Sequence, residues 1–328
     1  MNEFTNSAQF FISAVNDLKK GRISLHSPLE EIILKTCRNK LAYIDNRKDA
    51  KEKYGYDLWS GIDEKLLKDQ GVARRLLYSE SQQFPDFLFK TQEHNGRCVA
   101  GSLMELKDSK GGNIASFNST IPTKYKSLKE IDVINGNNLV SKIARVIDGK
   151  VSLGEDYLSF QRRCAYLVRT HKDTDKVKVS VVDGSFFETV PKEHLFYQMF
   201  LNTLQSHLER KEIQISPETL EKVRETLSHI TDQTIIASSQ IIEGASVRPR
   251  LRIMAEVHPE GNPHSKFYPE IVEGSFNLIL QSTSQVDEIK EEVLSSIPEI
   301  DVFSIHHKRN GEHTVFQFGK RKRLTQYL

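Results

Sequence analysis

The sequence has little cysteine. There are three, Cys37, Cys98 and Cys164, far apart and without a CxxC pair. That excludes a disulfide framework and a cysteine-based zinc site, and it suits a reducing compartment. No apolar run approaches the roughly 18 residues that a membrane helix needs. The opening MNEFTNSAQFF is acidic and has no long apolar core, which argues against a secretory signal. Together these features point to the cytoplasm. Glycine and proline are sparse, 17 and 10 among 328 residues, which excludes collagen-like and low-complexity chains. Excess charge is lacking too. The net charge is +2, so no global argument for a polyanionic partner stands. Its distribution says more: from His306 onward Lys308, Arg309, Lys320, Arg321, Lys322 and Arg323 face one acid, Glu312. Such an end suits local contact with a polyanion, with a solvated tail as the plain alternative.

What the chain does have is patterned apolar sequence, long enough to bury a core. Apolar spacing and cap signals predict helices over 5–20, 28–53, 62–79, 192–212, 217–230 and 285–297. Strands are expected at 84–89, 98–106 and 113–121, in a hairpin of 165–170 with 177–184, across 231–284, and around Arg309-Asn310-Gly311. Asp183-Gly-Ser-Phe and Glu273-Gly-Ser-Phe are two similar turns rather than a repeat. The fold class is therefore α/β or α+β, a mixed β-sheet flanked by helices. The expected division is a helical region at 1–61, a core at 62–212 and a C-terminal α+β region at 213–328.

The chemistry lies in one constellation. Pro85-Asp86 is followed by Glu105-Leu106-Lys107. Between them Asn95-Gly96 is a strong two-residue hairpin turn, because both positions tolerate positive φ. If that turn closes the hairpin, His94 faces Arg97, and the same register carries down to set Asp86 opposite Glu105. The pleat then puts Lys107 on the same face. Two facing carboxylates repel unless a cation lies between them. Mg²⁺ favours one or two carboxylates, waters and phosphate oxygens, so two acids and a lysine suit phosphodiester hydrolysis. The plain alternative is an ion pair among strand residues that holds no metal.

These residues, Pro85, Asp86, Glu105 and Lys107, resemble the motif of the PD-(D/E)xK nuclease superfamily, and within it the type II restriction endonucleases. The resemblance covers about 62–210. It implies a restriction-endonuclease-like fold and Mg²⁺-dependent cleavage of double-stranded DNA that leaves a 5′-phosphate and a 3′-hydroxyl. It also implies a homodimer and a cognate DNA methyltransferase in the same system. Asp86, Glu105 and the Leu106 backbone carbonyl would ligate the metal, with Glu80 as a further acid and Glu64 behind it.

Candidate DNA contacts are Asn118, Ser119, Thr120, Lys124 and Lys126, then Arg248, Arg250 and Arg252, which share a face if extended, and Lys320 and Arg321 in the tail. Arg162, Arg163 and Arg169 flank the next strand and are further groups that could hold DNA. An exposed basic edge that discourages strand pairing would look the same. His306, His307 and His313 lack the companions of a metal site, and Trp59 is read as packing. The rival functions are a structure-specific or repair nuclease with the same core, and a DNA-binding protein without catalysis.

Overall fold

The computed structural model describes residues 2–36, 41–43, 86–90, 93–94, 97–98, 101–114, 116–117, 122–127, 161–171, 176–188, 192–229, 255–264 and 266–319. Helix α1 spans Thr5–Lys19, and its apolar spacing puts Phe10, Phe11, Ala14 and Val15 on one buried face. Gly21 follows in a positive-φ conformation that a side chain resists. Helix α2 (Leu29–Thr36) begins after Pro28 and carries Glu30 and Glu31 in its first turn, where the helix dipole favours acid.

The helix expected over 28–53 does not run that far, because Leu41–Tyr43 is a strand, β1. It pairs antiparallel with β2 (Phe87–Lys90), Leu41 opposite Phe89. Leu41 fits a helical stripe as well as a strand, and the ladder partner decides. The other strands follow in chain order. They are β3 (Glu93–His94), β4 (Arg97–Cys98), β5 (Gly101–Ser109), β6 (Ser116–Phe117), β7 (Tyr125–Ser127), β8 (Gln161–His171), β9 (Val177–Asp183), β10 (Ala255–Glu256), β11 (Phe276–Gln281), β12 (Asp301–His307) and β13 (Gly311–Phe318).

Among the described residues nine strands form one sheet, in the order β1-β2-β5-β8-β9-β11-β13-β12, with β7 also on β8. The β5–β8 and β9–β11 pairs are parallel, whereas β8–β9, β11–β13 and β12–β13 are antiparallel. This is a mixed α+β fold with helices flanking a central mixed sheet. The expected strand over 113–121 behaves differently. Its described part, β6, leaves the sheet and pairs with β10 in a two-stranded ribbon, and β8 lies beside β5 instead.

Central strands need cover on both faces. Positions 162–168 of β8 and 276–280 of β11 are buried throughout. On one face Phe11 of α1 stacks on Phe276, centroids 5.7 Å apart. Beside α1 packs α5 (Ser284–Ser296; α3 and α4 are given below), which buries Val286, Ile289 and Val293. The register puts Tyr166 on the opposite face, where Phe117 and Phe187 meet it edge to face at 5.3 and 5.1 Å. Where β9 ends, Gly184 has no room for a side chain: a Cβ would lie 2.1 Å from the Thr123 carbonyl oxygen.

The chain divides into two units, Met1–Glu188 with Ala255–Leu328, and Thr189–Met254. The second is described over α3 (Lys192–Arg210) and α4 (Pro217–Ser228), which pack together. Ser216 caps α4, its Oγ accepting from the Thr219 amide at 3.2 Å. In α3 Leu201 is buried, while Met199 is exposed. The boundary expected at 212–213 falls between these two helices, inside the second unit. Strands on either side of it share one sheet, since β11 pairs with β9. Composition marks linkers, but ladder pairing decides which segments share a core.

Candidate functional site

The site stands on the β2–β5 hairpin and its parallel neighbour β8. The pairs Phe87↔Met104, Leu88↔Leu103, Phe89↔Ser102 and Lys90↔Gly101 keep the same register as Glu93↔Cys98 and His94↔Arg97 nearer the turn. A bulge would shift one set against the other. Their agreement means that one step beyond Phe87↔Met104 brings Asp86 level with Glu105. Asp86 is partly buried at the strand's entrance. Its Oδ2 accepts from the Leu106 backbone amide at 2.9 Å, so the carboxylate lies against β5 between Glu105 and Lys107.

Glu105 and Lys107 lie two residues apart on β5, on one face. Lys107 Nζ donates to Glu105 Oε1 at 2.9 Å. Both side chains are largely enclosed, 11% exposed for Glu105 and 18% for Lys107. Glu105 Oε2 is buried and has no hydrogen-bond partner among the described residues. A buried carboxylate oxygen without a donor is costly, and a divalent cation would relieve it. The donor set therefore fits Mg²⁺ in kind: two carboxylates, with waters and substrate to complete the shell. Among the described residues no group of three or more His, Cys, Asp or Glu converges as a ready protein cage.

Two aromatic residues complete the surroundings. Lys107 Nζ lies 4.9 Å from the centroid of the Phe117 ring. Tyr166 is the β8 partner of Glu105. Burial above all holds its phenol well above the ordinary value, so it stays protonated. Its oxygen accepts from the Thr123 amide at 3.3 Å. Leu106 turns the other way, into the core. On that same face Asp108 takes both Nε and Nη2 of Arg169, whose Nη1 donates to the Ser27 carbonyl at 2.6 Å. That clamp ties the end of β5 to the loop before α2.

The remaining candidates divide three ways. Pro85, Glu80, Asn118, Ser119, Thr120, Arg248, Arg250, Arg252, Lys320 and Arg321 lie outside the described residues. Lys124 is partly buried and pairs with Glu188 at 3.5 Å. Lys126 is only 4% exposed, so this cation faces the interior rather than a passing phosphate. The strand arginines are corrected likewise. Arg162 and Arg163 are buried. Arg163 forks onto Asp183 at 2.7 and 2.9 Å and also reaches Glu3 and Tyr125. Asp183 is what selects arginine here, because a planar fork matches a carboxylate.

His313 is also internal. Its Nδ1 faces the Gly311 carbonyl at 3.1 Å and its Nε2 the Ser185 hydroxyl at 3.2 Å. Sequence reading passed over Phe117 and Tyr166, because each looks like an ordinary strand aromatic. Only the pairing of β6 with the distant β10, and of β8 with β5, brings them to the lysine and the acid. A scan against protein-family models matches none, and comparison with curated proteins and with solved structures finds no match.

Proposed function

We propose that the chain is a Mg²⁺-dependent endonuclease of the PD-(D/E)xK type, acting on double-stranded DNA as a type II restriction enzyme. The observation that carries this reading is the buried, partnerless Oε2 of Glu105, beside the Lys107 ammonium and next along the hairpin from Asp86. Asp86 and Glu105 would hold the ion, with the Leu106 carbonyl between them. Bound there, Mg²⁺ supplies Lewis acidity and neutralises charge on the scissile phosphate. Lys107 orients the attacking water and offsets the negative charge that grows on the phosphoryl oxygens. Water adds to phosphorus, the bond to the 3′-oxygen breaks, and the products are a 5′-phosphate and a 3′-hydroxyl. A restriction-endonuclease-like fold, a homodimer on a short palindrome, a partner methyltransferase and a cytoplasmic location belong to the same reading.

The 2.9 Å ion pair between Lys107 and Glu105 also suits a DNA-binding protein without catalysis, since the two charges offset each other without metal. Digestion of a sequenced plasmid with Mg²⁺ or EDTA, with fragment ends mapped, separates these readings. A discrete set of ends that EDTA abolishes is expected. Scattered ends indicate a structure-specific nuclease, and a shifted but intact duplex indicates the binding protein.

A further inference from the structure

We infer that Phe117 is a positioning residue that aims the Lys107 ammonium, and that the β6–β10 ribbon holds it in place. The kinetic half of this inference rests on the nuclease reading; the geometric half does not. A lysine carries its charge on a flexible four-carbon stem. Glu105 fixes one hydrogen bond of Nζ at 2.9 Å and leaves the stem free to swing about it. The Phe117 ring at 4.9 Å supplies a second attachment, since the electron-rich face of an aromatic ring attracts an ammonium.

The ring itself cannot swing. Phe117 is 2% exposed and packs edge to face against Tyr166 and Phe187, both at 5.3 Å. Tyr166 is the ladder partner of Glu105. Acid, lysine and ring are thus referenced to one pair of strands. The backbone of Phe117 is held differently. It pairs with Ala255, in the segment that directly follows the second unit in sequence, and not with the main sheet. Lys107 is therefore aimed by a residue whose own support comes from the far side of that unit along the chain.

The test combines two readouts on the full chain. Phe117→Leu and Phe117→Met remove the ring face and keep apolar bulk, and Phe117→Tyr keeps the face. Thermal melts identify which variants fold. The first readout is the Lys107 ε-methylene resonance in protein labelled with ¹³C-lysine. It should be shifted upfield by the ring in the wild type and in Phe117→Tyr, and should return toward the free-lysine position in Leu or Met. The second is cleavage with Mg²⁺. The turnover number should fall about tenfold in Leu or Met, with KM for DNA and the Mg²⁺ requirement unchanged, and Phe117→Tyr should restore it. An unmoved resonance in a folded Leu or Met variant overturns the geometry. A moved resonance with unchanged turnover overturns the positioning role. A wild type that shows the upfield shift but cleaves no DNA overturns the nuclease reading and leaves the placement of Lys107 standing.

Discussion

At the scale of single residues, Glu105 carries the most weight. Its two oxygens have different fates: one is bonded to Lys107, the other is buried without a donor among the described residues. Glu105→Gln keeps the shape and removes the charge. We expect it to lose Mg²⁺ affinity in calorimetry and more than about a hundredfold in cleavage, since even outer-shell partners of a metal cost 10–100-fold. Asp86→Asn should behave alike, and both should still shift a DNA duplex. Persistence of wild-type cleavage in either would end the active-site assignment. Lys107→Met makes the opposite separation. It should leave Mg²⁺ binding intact and lower turnover, because the ammonium acts on water and phosphate rather than on the ion. A full maximal rate at raised Mg²⁺ would show that Lys107 serves the metal instead.

At the scale of elements, the legible parts are those specified by adjacent residues. Asn95-Gly96 announces a hairpin, and one register then runs from His94↔Arg97 to Phe87↔Met104. The turn at Asn310-Gly311 likewise joins β12 to β13, and Gly311 has φ 76°. The spacing of Phe10, Phe11, Ala14 and Val15 is enough to find α1. β1 is not legible, nor is the pairing of β6 with β10, because these strands are two or three residues long and defined by distant partners. Lys126 and Arg163 misled for a related reason: a cation in a strand looks exposed until the carboxylate or the covering layer is known. α1 gives a direct test of element packing. Phe11 is fully buried against Phe276, so Phe11→Ala should cost about 3–5 kcal/mol in urea unfolding. A loss below about 1 kcal/mol would mean that α1 is not seated on the sheet.

At the scale of the whole molecule, buried histidines set how stability responds to acid. Burial first, and then Lys178, lowers the pKa of His264 to about 3; burial first, and then His313, lowers that of His307 to about 4. Both are neutral in the folded chain. The unfolded chain takes up their protons near the ordinary value of about 6.5. Their contribution is therefore complete above that pH and is lost as the pH falls, down to about 4 for His307 and about 3 for His264. Each can account for at most about 1.4 kcal/mol per pH unit. Urea unfolding at pH 7.5 and pH 5 should show the loss. Among the described residues both ring nitrogens of His264 lack hydrogen-bond partners, so His264→Leu should flatten the slope and leave stability at pH 7.5 equal or higher. An unchanged slope would mean that His264 is protonated inside the fold.

The second unit, Thr189–Met254, interrupts the sheet in sequence, since β9 ends at Asp183 and its parallel partner β11 begins only at Phe276. On the ribosome, β9 is finished long before the strand that completes its ladder has been made. At ~5–20 residues per second the wait is roughly 5–20 s. Throughout it the β9 residues Val179, Val181 and Val182 have no β11 to pair with. The nascent chain thus passes through a stage of synthesis, fixed by its own gene order, at which a chaperone or a premature neighbour finds an open strand.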